Sequence, residues 1–378
     1  MLGIALVGCG RIAKRHCELL GGGHIPGAVL AAVCDIVPEK AEAAGRAWKV
    51  PYYTDLHAMM RELGEAIDAV AILTESGNHA RTVLDLAPYK KHLIVEKPMA
   101  LTLDDADAMI RACDQGGVKM FIVKQNRFNV PVIKTREALE AGRFGKLVMG
   151  TVRVRWCRSQ DYYDQDAWRG TWAMDGGVLS NQASHHVDLL EWMLGDVGSV
   201  FAKSRTALVN IEAEDTAVVL LKFRNGALGV IEATTATRPK DLEGSLSILG
   251  EKGSVVISGF AVNKMEAWHF TDSLPEDETV RRDFSVNPPD VYGFGHKSYY
   301  QHVVRCLENS DRQLVDGLEG RRSLELIMAI YESIETGKEV FLRFTPQKCR
   351  LGADCNPKKP LPETVRLHAS ANPSNGRC

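Results

Sequence analysis

The chain has 378 residues, with 46 lysines and arginines against 48 aspartates and glutamates and a formal charge of -2. Two domains with separate cores are expected from that length, and no global basic field advertises nucleic acid. No apolar run approaches the roughly 20 residues that span a bilayer. A strand predicted directly after Met1 leaves no room for a signal peptide, and nine cysteines without CxxC spacing read as reduced thiols. A cytoplasmic protein with neither membrane nor nucleic-acid partner is expected.

Strands are predicted near residues 3–7, 29–34, 68–73, 91–95 and 118–123, with helices near 11–20, 38–47, 78–87 and 102–114 between them. This alternation argues a parallel sheet covered on both faces. The first strand, Ile4-Ala5-Leu6-Val7, runs into Gly8-Cys9-Gly10-Arg11-Ile12-Ala13, a turn shaped to hold a pyrophosphate on a helix N-terminus. Gly8 allows the tight turn, Gly10 leaves room for the diphosphate, and Ala13 stands where a third glycine keeps the helix close to its strand. Asp35 ends the second strand, where a carboxylate accepts hydrogen bonds from both ribose hydroxyls and repels a 2′-phosphate. NAD is therefore favoured over NADP, although Arg11 and Lys14 leave a 2′-phosphate within reach. Pro38 suits a first helical turn, Thr102 followed by Asp105 reads as a cap, and Asn78 is a further cap candidate.

After Val123 the pattern changes. A helix near 130–141 leads through Gly142 and Gly145 into a strand near 147–156, and a polar, aromatic loop precedes a helix near 181–193. Strand-like runs follow at 198–208, 215–223, 227–236, 243–249, 254–258 and 263–270, joined in part by the hairpin turns Arg224-Asn225-Gly226 and Gly250-Glu251-Lys252-Gly253. Helices near 294–308 and 319–336 close the folded part. The expectation is an open, largely antiparallel sheet with helices on one face. A second subunit would cover the other face, making a homo-oligomer. The boundaries read as 1–123, 124–345 and a polar tail, 346–378, with a poorly ordered end.

Four stretches carry chemistry. Glu96-Lys97-Pro98 sits at the carboxyl end of a predicted parallel strand, where ligands of open α/β sheets bind. Proline after Lys97 restricts its backbone and is compatible with a cis bond. In the second stretch, Asp175 to Asp188, a helix starting near Asn181 puts Asn181, His185 and Asp188 on one face. His185 is then suited to take a hydroxyl proton near neutral pH. His185, His186 and Asp188 as metal ligands are the weaker reading, since adjacent histidines on a helix point about 100° apart, and no metal is expected. Third, Arg153 and Arg155 share one face of a strand, and Arg158, Arg169, Tyr162, Tyr163, Trp168 and Trp172 follow. Guanidinium forks among aromatic rings suit a diphosphate, a carboxylate and a stacked ring, while carboxylates across the sheet are the alternative partners of Arg153 and Arg155. Gln125 and Asn126, in Lys124-Gln125-Asn126-Arg127-Phe128, would emerge at the domain boundary, a common place for a pocket.

In this order and spacing, Gly8-Cys9-Gly10-Arg11-Ile12-Ala13, Glu96-Lys97-Pro98 and the Gly176–Asp188 segment resemble the Gfo/Idh/MocA oxidoreductase family over residues 1 to about 345. The resemblance implies an α/β and α+β architecture, an N-terminal Rossmann domain followed by a C-terminal open, largely antiparallel sheet domain. It also implies catalysis by Lys97 and His185. Within the family, Arg155-Trp156-Cys157-Arg158, Trp168-Arg169-Gly170-Thr171-Trp172 and Asn181-Gln182-Ala183-Ser184-His185-His186 are similar to the UDP-N-acetylglucosaminuronate 3-dehydrogenase branch. That likeness implies NAD contacts from Gly8, Gly10, Arg11, Ile12, Asp35, Thr74, Asn78, His79, Glu96, Lys97 and Gln125. It implies substrate contacts from Lys97, Arg127, Arg155, Arg158, Tyr163, Arg169, Asn181 and His185. The implied substrate is a UDP-linked amino-sugar uronate oxidised at C3, on a route to surface polysaccharide. The implied assembly is a tetramer, with a 2-oxo acid as candidate partner for NADH recycling. Many relatives carry Asp where this chain has Asn181, which leaves His185 or Lys97 as principal base. Oxidation of another sugar or of a polyol such as inositol is the alternative. A non-catalytic NAD sensor leaves the pairing of Lys97 with His185 unexplained.

Overall fold

The structure, a computed structural model, describes residues 1–285, 294–309, 311–343 and 345–353. The first half alternates β1 (Leu2–Val7), α1 (Arg11–Gly21), β2 (Ala28–Cys34), α2 (Pro38–Trp48), β3 (Tyr52–Tyr53), α3 (Leu56–Leu63), β4 (Ala69–Ile72), α4 (His79–Leu86), β5 (His92–Val95), α5 (Leu103–Gly116) and β6 (Met120–Ile122). The strands form one parallel sheet in the order β3-β2-β1-β4-β5-β6. Strand order reverses at β1 and β4, so their carboxyl ends open the crevice in which doubly wound sheets hold ligands. Buried Val, Ile, Leu and Ala in β1, β4 and β5 give the near-continuous apolar runs of strands covered on both faces. The short β3 and α3 were absent from the predicted elements.

The second half comprises α6 (Val130–Glu140), β7 (Leu147–Arg155), α7 (Gln160–Asp164), α8 (Ser184–Leu194), β8 (Val197–Arg205), β9 (Thr216–Phe223), β10 (Leu228–Thr234), β11 (Glu243–Gly250), β12 (Gly253–Ser258), β13 (Lys264–Phe270), α9 (Asp277–Asp283), α10 (Gly295–Glu308), α11 (Gly317–Thr336) and β14 (Val340–Phe341). Its sheet runs β13-β12-β11-β7-β10-β9-β8-β14. All neighbours are antiparallel except β7 and β10. Alternation along β9 points Ala217, Val219, Leu221 and Phe223 into the core and leaves Val218 and Leu220 exposed. The inner face packs on α8; a side chain at Gly150 of β7 would strike Leu190 and Leu194, so glycine there lets the helix approach closely.

Periodicity could not assign α10 to its neighbour. It follows the second sheet in sequence, yet Tyr299, Tyr300, Val303 and Val304 join the core of the first half with Ile4, Leu6, Cys17 and Leu20. The 3₁₀ turn Gln125–Phe128 docks against α10, Phe128 meeting Tyr299 edge-on. Spatially, therefore, the nucleotide half includes a segment far beyond residue 123. The start of the tail is also packed. Leu351 is buried, and the backbone N–H groups of Gln347, Lys348 and Cys349 all donate to Glu332. The remainder, 354–378, on which the expectation of disorder and two of the cysteines fall, lies outside the described residues; the seven described cysteines are unpaired.

Candidate active site

A cleft of about 1160 Å³ runs from the carboxyl ends of β1, β2 and β4 to the loop after β7 and the start of α8. Its near end is the Gly8–Ile12 turn. Gly8 has φ +100°, and a Cβ there would strike the Leu73 backbone; one on Gly10 would meet nothing within 4 Å. α1 begins without a side-chain cap or an acidic first turn, leaving its first N–H groups and dipole open to an anion. Asp35 accepts from Cys9 N at 2.7 Å and Val37 N at 2.8 Å, which fixes the turn to β2 while leaving lone pairs for ribose hydroxyls. Farther in, Thr74 Oγ1 and Gln125 Oε1 are buried without a hydrogen-bond partner among the described residues, although both residues line the cleft. Buried polar atoms of this kind are normally satisfied, so a dinucleotide with ribose and carboxamide groups fits this floor.

Lys97 stands at the end of β5. The Lys97–Pro98 peptide is cis. Its backbone N–H donates to Glu96 Oε2 at 3.0 Å, and its ammonium donates to the Asn181 carbonyl at 2.9 Å and to Asn181 Oδ1 at 3.2 Å. Glu96 faces His16 at 3.1 Å, and His16 in turn meets the Tyr300 hydroxyl at 2.5 Å. Burial opposes ionisation of Glu96, but the hydrogen bond and charge of His16, with His296 and Lys97, hold it down to about 2. Burial lowers the Lys97 ammonium below its ordinary value, against the charges of Glu96 and Asp175.

His185 lies in the first turn of α8. That helix starts at Ser184 rather than near Asn181, so Asn181 occupies the preceding turn and reaches the cleft from its own direction. His185 Nε2 lies 2.9 Å from the Gln125 side-chain amide. Burial, with Lys97 nearby, pushes the imidazole well below its usual range. The expected common face of Asn181, His185 and Asp188 is not formed. Asp188 turns away to Lys124 and Arg127, and His186 packs edge-on to Trp156, so the three residues weighed as metal ligands point to three different partners.

The far wall is cationic and aromatic. Guanidinium groups of Arg11, Arg158 and Arg169 lie 5.1, 5.3 and 4.7 Å from the Tyr162 ring centre, and Arg169 also stacks on Trp168 at 4.6 Å. Arg11 hydrogen-bonds Gln165 across the cleft, tying the nucleotide turn to this loop.

Three expected substrate contacts are corrected. Arg127 is buried outside the cleft, bonded to Asp188 at 2.7 and 2.8 Å and paired with Glu319 at 2.8 Å. It balances the Asp188 carboxylate, which burial raises but Arg127 and Lys124 hold well below the usual range. Arg155 lies on the outer sheet face, bonded to Glu232 and Glu243, the cross-sheet alternative. Tyr163 is buried with its hydroxyl 3.1 Å from Thr235; its neighbour Tyr162 faces the cleft, and the short α7 that decides between them was not predicted. Two cofactor residues differ in detail. His79 lines the cleft, but its ring nitrogens face the Pro98 and Thr74 carbonyls, and Asn78 bonds Glu75 instead of capping α4. Sequence reading also gave no role to Asp175, which is buried behind Asn181.

Ionisable groups from two halves of the chain, converging over the crevice of a doubly wound sheet, define a nicotinamide-nucleotide-dependent oxidoreductase. Residues 2–124 match the model of the Gfo/Idh/MocA oxidoreductase family's NAD-binding Rossmann fold, and residues 136–342 match that of its C-terminal α/β domain. The chain belongs to this family. It is similar, at 41% identity over 91% of its length, to the WlbA dehydrogenase from Bordetella pertussis in complex with NADH and UDP-GlcNAcA (TM-score 0.83, 99% of that chain covered). The WlbA dehydrogenase from Chromobacterium violaceum, also in complex with NADH and UDP-GlcNAcA, is equally similar at 41% over 91% (TM-score 0.84, 96% covered). Among curated relatives, myo-inositol 2-dehydrogenase of Thermotoga maritima is 27% identical over 356 residues, 90% of this chain and 98% of that protein.

Proposed function

We propose that the chain oxidises the C3 hydroxyl of UDP-N-acetyl-glucosaminuronic acid to the 3-keto sugar, a step in making surface polysaccharide. The cationic, aromatic wall around Tyr162 carries this reading. Arg158 and Arg169, unlike Arg127 and Arg155, line the cleft and keep guanidinium N–H groups beyond their pairing with Asp241 and Asp166 for a diphosphate or carboxylate, and the rings offer stacking surfaces, whereas a free polyol has no anion to meet them. The 41% identity with two enzymes crystallised with NADH and UDP-GlcNAcA supports it.

Bound NAD, held by the Gly8–Ile12 turn, Asp35, Thr74 and Gln125, supplies the hydride acceptor for the sugar C3. His185 takes the hydroxyl proton at its ring, the Gln125 amide giving up its place beside Nε2 to the substrate hydroxyl. Lys97, anchored by Asn181, donates a hydrogen bond to the oxygen as its negative charge develops. This reading takes the chain as a cytoplasmic homo-tetramer that pairs through its open sheet face, with a 2-oxo acid as the oxidant that recycles NADH.

The test is incubation with UDP-N-acetyl-glucosaminuronic acid and NAD, with the keto sugar trapped by a coupled aminotransferase and absorbance followed at 340 nm. Trapped 3-amino product is expected. Turnover of free inositols alone, with none of the nucleotide sugar, would overturn the assignment.

A further inference from the structure

Behind Lys97 stands a buried carboxylate with no assigned role. Asp175 Oδ1 accepts from Asn181 Nδ2 at 2.5 Å and Oδ2 accepts from the Gly170 backbone N–H at 2.9 Å. Because both oxygens are committed as acceptors, the Asn181 amide has one orientation open to it, nitrogen toward Asp175 and Oδ1 toward the Lys97 ammonium. Its main-chain carbonyl receives the ammonium as well.

We propose that Asp175 is the positioning residue for Lys97, acting through the Asn181 amide. The ammonium is thereby held by two neutral oxygens while the compensating charge stays one residue behind. A carboxylate bonded directly to Lys97 would grip its proton; an amide in between keeps the direction of the grip and weakens its strength. Lys97 thus stays oriented toward the cleft and free to share its proton with a developing alkoxide. The charged and titratable groups acting on it are Glu96, Asp175, Arg169, Arg158 and His185. Lys97, Arg169 and Glu214 act on Asp175, whose carboxyl burial pushes up to about 6. Protonation there would turn one acceptor into a donor and break the relay. The function of Lys97 rests on the dehydrogenase reading above, whereas the Asp175–Asn181–Lys97 linkage does not.

The experiment compares Asp175→Asn, the swap D175N/N181D and the parent. In Asp175→Asn one acceptor becomes a donor, so the Gly170 N–H and the Asn181 amide cannot both be satisfied. In the swap, donor faces acceptor again and the charge moves next to Lys97. Expected for Asp175→Asn are a kcat about 10- to 100-fold lower, unchanged NAD affinity, and a Lys97 ionisation about one pH unit lower. That ionisation is read both as a limb of the kcat profile and, without substrate, from competitive acetic anhydride labelling of Lys97 quantified by mass spectrometry. The swap restores the direction of the grip but strengthens it, so it should recover only part of the kcat, clearly above the single variant, and move the ionisation above the parent's. If Asp175→Asn does not fold, the swap is compared with Asn181→Asp alone, in which two carboxylates face each other; a kcat higher in the swap than in Asn181→Asp needs the pair to act as a unit. Parent-like kcat and labelling in Asp175→Asn, or a folded swap no better than that single variant, would make Asp175 a loop brace and overturn the proposal. A labelling shift in a protein that ignores nucleotide sugars supports the relay and removes only the substrate assignment.

Discussion

Lys97 and His185 are both driven toward their neutral forms by burial, but different neighbours decide how far. Lysine keeps two carboxylates in range, while the imidazole has the ammonium against it. Lys97→Ala should therefore lower kcat by about 10²- to 10⁴-fold, with NAD affinity from fluorescence titration within a few-fold of the parent. His185→Asn should remove the acidic limb of the kcat profile and leave residual turnover. Away from the cleft, Glu214 accepts from Leu179 N and the Tyr331 hydroxyl, and burial pushes its carboxyl up to about 7. The folded carboxyl titrates above its unfolded counterpart, so ionisation works against the fold as pH rises from 4.5 to about 7. Glu214→Gln should be the more stable protein above pH 7, by up to about 3 kcal/mol in urea unfolding, with the difference vanishing below pH 4.5. At this scale the meeting of Lys97, His185 and Gly8 in one cleft was legible because each sits in a motif with a mechanism. Arg127, Arg155 and Tyr163 were misread because a guanidinium or phenol in sequence does not reveal which carboxylate or hydroxyl the fold brings beside it.

Elements were read to within a few residues wherever caps and alternation agreed. Thr102 accepts from Asp105 N at 3.1 Å at the start of α5, as its spacing implied, and Pro38 opens α2. Thr102→Ala should cost about 1 kcal/mol in chemical denaturation. What periodicity could not supply was the destination of an apolar face. It marked a helix near 294–308 and a polar tail after 345, but placed neither Tyr299 in the core of the first half nor Leu351 against Gly176. Gly352 N donates to the Trp172 carbonyl and Arg350 stacks on the Trp172 ring at 4.4 Å, so this segment braces the loop that carries Arg169 and Asp175. Leu351→Ala should lower the melting temperature, at a cost of about 2–5 kcal/mol, and raise the KM for the sugar substrate more than that for NAD.

For the molecule as a whole, the outer face of the larger sheet has an apolar centre. Phe201 on β8 is exposed directly opposite Leu220 on β9, with Val218 two residues along β9 and Leu228 on β10 diagonal to Leu220, flanked by Arg153 and Arg155 paired with Glu232 and Glu243. In the proposed homo-oligomer this patch is the surface on which two identical sheets would pair. Leu220→Glu should lower the mass measured by light scattering relative to the parent, and an unchanged mass would move the interface elsewhere. The return of α10 to the first half has a different consequence. Because the chain finishes the core of its nucleotide half only after laying down the second sheet, residues 1–123 made alone would present a bare apolar flank and aggregate.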